Sequence, residues 1–132
     1  MLLDTNVFIE LIRKKAELPP FAVISIITVG ELKAFAIKRN WGYQKRATLE
    51  KIIGEIPVLG IEPTLTDVYA TVDAYSQGLL ISDPLPPGIT ARNMGKNDIW
   101  IAATALYYDV ELHTADNDFD HLLPIGLRLV KL

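Results

Sequence analysis

Apolar and polar residues recur with two different periods along the chain, and each change of period predicts a change between strand and helix. Five runs of strand length are predicted as β-strands: Met1–Leu3, Phe21–Ile27, Ile56–Ile61, Val110–Thr114 and Arg128–Lys131. Helical periodicity is found at residues 6–15, from 28 to a break at 40–42, and at 44–53, 64–77 and 98–107, with a short helical turn near 119. This alternation predicts an α/β fold of three layers, in which helices cover both faces of a central parallel sheet.

Two of the predicted helices begin with residues that are typical of helix N-caps. Thr28-Val29-Gly30-Glu31 matches a capping box, in which Thr28 would cap the helix and Glu31 would bond back to it. Thr64, with Asp67 three residues later, indicates a second cap. Residues 82–97 form the one long loop, and a loop of that length in a compact domain is usually functional or mobile.

Length and composition bound the kind of protein. A chain of 132 residues is of ordinary size for one domain, so we expect a single domain over residues 1–132. The absence of cysteine excludes disulfides and thiolate metal sites. Charged residues interrupt every apolar run, which excludes a membrane span, and no export signal is apparent at the start. We therefore expect a soluble, cytoplasmic protein.

Charge is unevenly distributed along the chain. Residues 1–51 carry nine bases and five acids, whereas residues 52–132 carry four bases and eleven acids, although the net charge is only -3. A basic half beside an acidic site suits an enzyme that acts on a phosphate chain, because bases hold the backbone and acids hold cations. The same bases could instead form a solvated helix face.

Acidic residues lie at the junctions between predicted elements. These are Asp4, Glu31, Asp98 and the pair Asp116 and Asp118. Asp4 and Asp116 fall at the carboxyl ends of strands, and the helices that begin near Glu31 and Asp98 should point toward the same sheet edge. Converging carboxylates repel one another unless a cation lies between them, so the pattern predicts a site for a hard divalent metal.

Four motifs in order resemble those of PIN-domain nucleases, and most closely the VapC toxins of toxin–antitoxin pairs. They are Leu-Asp-Thr-Asn at the start, Thr-Val-Gly-Glu-Leu, Asn-Asp-Ile-Trp-Ile-Ala-Ala-Thr-Ala and Thr-Ala-Asp-Asn-Asp-Phe. The resemblance covers nearly the whole chain. It implies that Asp4, Glu31, Asp98 and Asp116 hold one or two Mg²⁺ or Mn²⁺ ions and activate water to cleave an RNA phosphodiester. Asp118 is a further metal ligand by this resemblance, with Asp116 expected to be the nearer one.

The resemblance also implies partners. An antitoxin protein should bind near the first helices and could insert a basic side chain among the carboxylates, and a homodimer is common among similar proteins. The target RNA and its cleavage position cannot be inferred from these residues.

Other residues are candidates for supporting roles. Thr5, Asn6 and Thr114 could donate hydrogen bonds that orient the carboxylates. Lys38, Arg39, Arg92 and Lys96 could bind RNA phosphates, and plain solvation is an equal alternative. His113 and His121 have no metal-ligand spacing, so we expect structural or surface roles for them.

Each acid also has a purely structural interpretation. Asp4 and Glu31 could cap helices, Asp98 could favour its helix through the macrodipole, and Asp116 and Asp118 could be turn residues. All of these would have to hold together to remove the site. A phosphotransferase of the haloacid dehalogenase type fits poorly, because Asn6 stands where that chemistry needs a second Asp. A nuclease of RNA processing and a non-catalytic RNA- or protein-binding scaffold remain alternatives.

Overall fold

The sheet of this protein is parallel throughout. In the computed structural model, which describes residues 1–132, its strands are β1 (Leu2–Leu3), β2 (Ile24–Ser25), β3 (Val58–Leu59), β4 (Leu112–Thr114) and β5 (Leu129–Lys131). Strands β1, β4 and β5 pair side by side, and β2 pairs with β3. A bridge between Leu2 and Val23 joins the two groups, which gives the order β3-β2-β1-β4-β5.

Helices connect the strands in the predicted alternating order. They are α1 (Thr5–Arg13), α2 (Ile26–Lys38), α3 (Tyr43–Glu55), α4 (Leu65–Ser76) and α5 (Lys96–Tyr107), followed by a 3₁₀ helix (Asp120–Ile125). None of them is long and apolar enough to cross a bilayer. The predicted parallel sheet flanked by helices is thus confirmed.

Strand β1 separates two hydrophobic cores. Successive strand residues point to opposite faces, so Leu2 joins a cluster with α4 and α5, whereas Leu3 joins one with α1 and α2. Both leucines are almost fully buried. Because β1 is covered on both sides, the residue that follows it, Asp4, is fixed between two packed layers.

The predicted start of α2 was wrong. The helix begins at Ile26, and Ser25 caps it by accepting a hydrogen bond from the Thr28 amide at 3.0 Å. The predicted strand Phe21–Ile27 therefore keeps only Ile24–Ser25, because Ile26 and Ile27 already lie in the first helical turn. Glu31 does not close a capping box, since it lies in the second turn of α2.

Two further boundaries differ from the sequence prediction. Thr64 precedes α4 but makes no side-chain capping bond, so the second predicted capping box does not form. Helix α5 begins at Lys96, which shortens the long loop that was predicted to run to residue 97. The predicted break at 40–42 is confirmed, where Asn40 adopts a left-handed conformation (φ 51°) that ends α2.

Candidate active site

The site lies at the carboxyl ends of β1 and β4, the central strands of the sheet. Asp4 follows β1 directly, and its amide donates to the carbonyl of His113 at 3.0 Å. Leu3 pairs with His113, so Asp4 stands beside Thr114 at the end of the neighbouring strand. The parallel register thus brings together two residues that are 110 positions apart.

Asp4 is held by hydrogen bonds on both carboxylate oxygens. Its Oδ1 accepts from the Thr5 amide at 2.8 Å, which caps α1, and its Oδ2 accepts from the Thr114 hydroxyl at 2.8 Å. Its side chain is buried, with the residue only 5 % exposed. The capping role weighed in the sequence analysis is therefore real, and it coexists with a place in the acid cluster.

Glu31 enters the site from α2. The Thr5 hydroxyl donates to its Oε1 at 2.7 Å and lies 3.0 Å from the Thr28 hydroxyl. Asn97, in the first turn of α5, donates to the other oxygen of Glu31 at 3.4 Å. Glu31 is thereby positioned by residues of α1 and α5 as well as by its own helix.

Asp98, Asp116 and Asp118 complete the cluster. One carboxylate oxygen from each lies within 4.8 Å of the others. Asp98 projects from the first turn of α5, and Asp116 and Asp118 lie in the loop after β4. The amide of Asp118 donates to Asp116 Oδ1 at 3.0 Å, so the two acids of the loop are fixed relative to each other.

The five carboxylates repel one another. Burial raises the pKa of Asp98 to about 6, with further contributions from the negative charges of Asp4, Asp116, Asp118 and Glu31. Burial also raises the pKa of Asp4, against the opposing effect of the hydrogen bonds from Thr114 and Thr5. Charged carboxylates are therefore costly here in the absence of a cation.

Basic side chains do little to balance these charges. Asp4, Glu31, Asp98 and Asp116 form no salt bridge, and Asp118 has only a long one, at 3.9 Å to the guanidinium of Arg92. Hard divalent cations take carboxylate oxygens, and opposed ligands of Mg²⁺ stand about 4 Å apart. The donor type, the spacing and the uncompensated charge all fit such an ion.

The predicted supporting residues divide into two groups. Thr5 and Thr114 donate hydrogen bonds to the acids, and Thr114 Oγ1 also accepts from the Asp116 amide at 3.0 Å. Asn6 lines the neighbouring groove, but its side chain makes no hydrogen bond to an acid.

A groove of about 530 Å³ between α1 and α2 leads to Glu31. Ile9, Ile26 and Phe35 form apolar walls, and Lys38 lies on its rim. Among the predicted phosphate ligands, Arg39 lies over the Phe35 ring at 5.2 Å, outside the groove, and Lys96 is exposed on α5. Arg92 reaches toward the site and donates to the Asn117 carbonyl at 3.4 Å.

Three residues of the site neighbourhood were not predicted. Thr28 and Asn97 contribute to the hydrogen bonds around Glu31, and Lys131 binds the loop that carries Asp116 and Asp118. Asn97 could have been suspected from its place beside Asp98, whereas the contact of Lys131 depends on strand register alone. The expected structural role of His121 agrees with its burial and with its 2.8 Å contact to Ser76.

Fold and site together define the class of protein: a three-layer α/β domain with a cluster of carboxylates at the carboxyl edge of its parallel sheet. A family model described as "PIN domain" matches residues 1–122. The chain belongs to the PIN domain family, which confirms the resemblance seen in its motifs.

Known proteins agree with this membership. The chain is similar to Ribonuclease VapC4 of Mycobacterium tuberculosis (strain ATCC 25618 / H37Rv), with 25% identity over 124 residues that cover 89% of this chain and 87% of the relative. It also resembles a chain in the structure of VapBC-1 from nontypeable Haemophilus influenzae, with a TM-score of 0.71, 24% identity and coverage of 98% and 96%.

A second similar fold occurs in DNA-bound VapBC from Salmonella typhimurium, with a TM-score of 0.74, 22% identity and coverage of 98% and 96%. At such identities these two structures support the fold alone.

Proposed function

We propose that this chain is a metal-dependent endoribonuclease, a single domain over residues 1–132 that hydrolyses RNA phosphodiester bonds. The observation that carries the proposal is that carboxylate oxygens of Asp98, Asp116 and Asp118 lie within 4.8 Å of one another. Asp4 and Glu31 are near enough to help raise the pKa of Asp98, and the one salt bridge to any of these five acids is long. The similar protein VapC4 is named a ribonuclease, which supports RNA as the substrate. Because the proposed substrate is cellular RNA, we place this activity in the cytoplasm.

Mg²⁺ or Mn²⁺ is the proposed cofactor, as one or two ions. Asp4, Glu31, Asp98 and Asp116 would hold it, with Asp118 as a further ligand. Such ions lower the pKa of a bound water and neutralise charge on the phosphate and on the leaving oxygen. His121 lies close to Asp118, but it is buried and its Nε2 contacts the Ser76 hydroxyl at 2.8 Å, so the proposed chemistry does not use it as a base.

The protein's own residues hold the carboxylates ready for this chemistry. Thr114 and the Thr5 amide leave Asp4 little freedom to turn, and the Thr5 hydroxyl does the same for Glu31. Arg92 stands near Asp118 with its guanidinium half exposed, where it can approach a phosphate of a bound strand. Lys38 offers a second cation on the rim of the groove beside Glu31.

We further propose that the chain is the toxin of a toxin–antitoxin pair. The solved structures that share its fold include toxin–antitoxin complexes, one of them from Klebsiella pneumoniae. The apolar walls of the groove would accept one face of an antitoxin segment, and Glu31 at its end would attract a basic side chain. A homodimer stays a prediction.

The first experiment is cleavage of total RNA and a tRNA panel by the purified protein with Mg²⁺ or Mn²⁺. Asp98→Asn and EDTA should each abolish cutting. Asp67→Asn is a matched control, because Asp67 also lies in the first turn of a helix but is exposed and outside the cluster. It should cut like the wild type.

The outcomes separate the candidate functions. Cutting that persists in EDTA or in Asp98→Asn would contradict the metal-dependent nuclease. A wild type that cuts nothing and binds no Mn²⁺ would favour the non-catalytic scaffold. The protein encoded beside this gene is the candidate antitoxin. If it does not inhibit cutting, the result would favour a nuclease of RNA processing over a toxin.

A further inference from the structure

The ammonium group of Lys131 makes three polar contacts close to the acid cluster. Lys131 ends β5 and lies beyond residue 122, where the family match stops. Its ammonium donates to the carbonyl of Asp116, to Asn117 Oδ1 at 2.8 Å and to Asp120 Oδ1 at 2.7 Å. A lysine has three protons to donate, and here each has an acceptor.

These three contacts all fall on one segment, the acid loop, which we define as residues 116–120. Lys131 binds its first two residues and its last, so the loop is held on both sides of Asp118. Inside the loop, the Asp118 amide bonds to Asp116 Oδ1, and the Asp120 amide bonds to the Asn117 carbonyl at 3.2 Å. A shift of the loop would therefore move both Asp116 and Asp118.

Strand register explains why Lys131 reaches this loop. It pairs with Thr114 across the parallel strands β4 and β5, so both residues stand at the same edge of the sheet. Thr114 accepts from the Asp116 amide at 3.0 Å. The acid loop is thus tied to the ends of two adjacent strands, by a threonine from one and a lysine from the other.

We infer that Lys131 is a positioning residue that holds Asp116 and Asp118 toward Asp98 in the geometry needed to bind a divalent ion. The inference rests on the proposed function. Lys131 contacts none of the clustered carboxylates through its ammonium, since its acceptors are a backbone carbonyl, an amide oxygen and the carboxylate of Asp120.

A charge effect and a positioning effect predict opposite results. If the ammonium acted only through its positive charge, its removal would make the cluster more negative and Mn²⁺ would bind more tightly. If it positions the loop, its removal lets Asp116 and Asp118 move away from Asp98, and Mn²⁺ binds more weakly. Groups that orient metal ligands typically change metal affinity by about 10- to 100-fold when they are removed.

The test compares Lys131→Met with Arg128→Met. Arg128 also lies beside β5, but its guanidinium binds the carbonyl and carboxylate of Asp109, at 2.6 and 3.0 Å, away from the acid loop. Both variants lose one exposed cation and its hydrogen bonds. Mn²⁺ affinity is measured by calorimetry, and the order of the acid loop by amide hydrogen exchange in the metal-free protein.

We expect Lys131→Met to weaken Mn²⁺ binding by about tenfold or more and to speed exchange at the Asp118 and Asp120 amides. Arg128→Met should change neither. Lys131→Gln, which keeps two donors without the charge, should fall between Lys131→Met and the wild type, and it decides the question if Lys131→Met does not fold.

Equal or tighter Mn²⁺ binding by the folded Lys131 variants would overturn the inference and leave the nuclease proposal intact. A wild type that neither binds Mn²⁺ nor cuts RNA would instead overturn the proposed function, and the inference with it.

Discussion

Burial of Asp98, together with repulsion from four other carboxylates, gives the metal-free protein a defined pH dependence. Because the pKa of folded Asp98 is about 6, above its ordinary 3.8, the folded state binds its proton more tightly than the unfolded state. The resulting stabilisation is present at low pH and is lost as the pH rises from about 4 to about 6. The raised pKa of Asp4 acts in the same direction.

We therefore predict that Asp98→Asn removes part of this pH dependence. The free energy of unfolding of the variant minus that of the wild type should increase by about 1 to 2 kcal/mol from pH 4 to pH 7. This range allows for the partial exposure of the Asp98 side chain. Urea unfolding in EDTA across this range measures it. A constant difference at all pH values would contradict the raised pKa of Asp98.

The buried hydroxyl of Thr114 makes two hydrogen bonds in the site. It donates to the Asp4 carboxylate and accepts from the Asp116 amide. Thr114→Val keeps the shape but leaves both partners without this bond, so we expect a loss of about 1 to 3 kcal/mol in stability and weaker Mn²⁺ binding. Thr114→Ser keeps the hydroxyl and is the control. If Val and Ser variants bound Mn²⁺ equally well, the hydroxyl would have no role in orienting the acids.

At the scale of elements, helix α2 contains a glycine where its surface lines the groove. A Cβ added to Gly30 meets no atom within 4 Å. Gly30→Ala should therefore stabilise the free protein by about 0.5 to 1 kcal/mol, because alanine favours the helix. The added methyl group projects into the groove beside Glu31, so we expect weaker binding of an RNA strand that reaches Lys38 along this groove.

Gly54→Ala is the matched control for that prediction, since Gly54 lies in α3, also has free space around it and is outside the groove. Unfolding experiments and the KM for RNA cleavage check both variants. Stabilisation by both changes, with a raised KM only for Gly30→Ala, is the expected pattern. A raised KM for both would show that helix dynamics, rather than the groove, is responsible.

The order of elements was predictable because apolar periodicity reports which segments are buried. The same signal overestimated strand length, since burial does not require pairing. Phe21 is apolar yet 92% exposed, with a left-handed backbone (φ 65°), and Ile26 and Ile27 are helical. Asp4, Asp98, Asp116 and Asp118 were open to prediction from their places near element ends, whereas Glu31 lies in the second turn of α2 and was suggested only by its motif. The contacts of Thr28, Asn97 and Lys131 were not, because they depend on how distant segments align in space.

At the scale of the whole molecule, the site joins both ends of the chain and both sides of the fold. Mn²⁺ bound there should therefore stabilise the folded protein as a unit, by about 2.7 kcal/mol at a concentration one hundred times the Kd. Thermal unfolding with and without Mn²⁺ measures this gain. Asp98→Asn should show much less of it, and an equal gain in that variant would place the ion elsewhere.

Because Asp4 bonds to Thr114, which is 110 residues later in the chain, the site cannot form until most of the chain has been synthesised. A ribosome adding roughly 5 to 20 residues per second takes about 6 to 25 seconds to proceed from Asp4 to Lys131. Until β4 and β5 have emerged, Asp4 and Glu31 have no carboxylate partners from the acid loop. The proposed nuclease would therefore be inactive while the chain is still growing, and the proposed antitoxin could reach α1 and α2 before the site is complete.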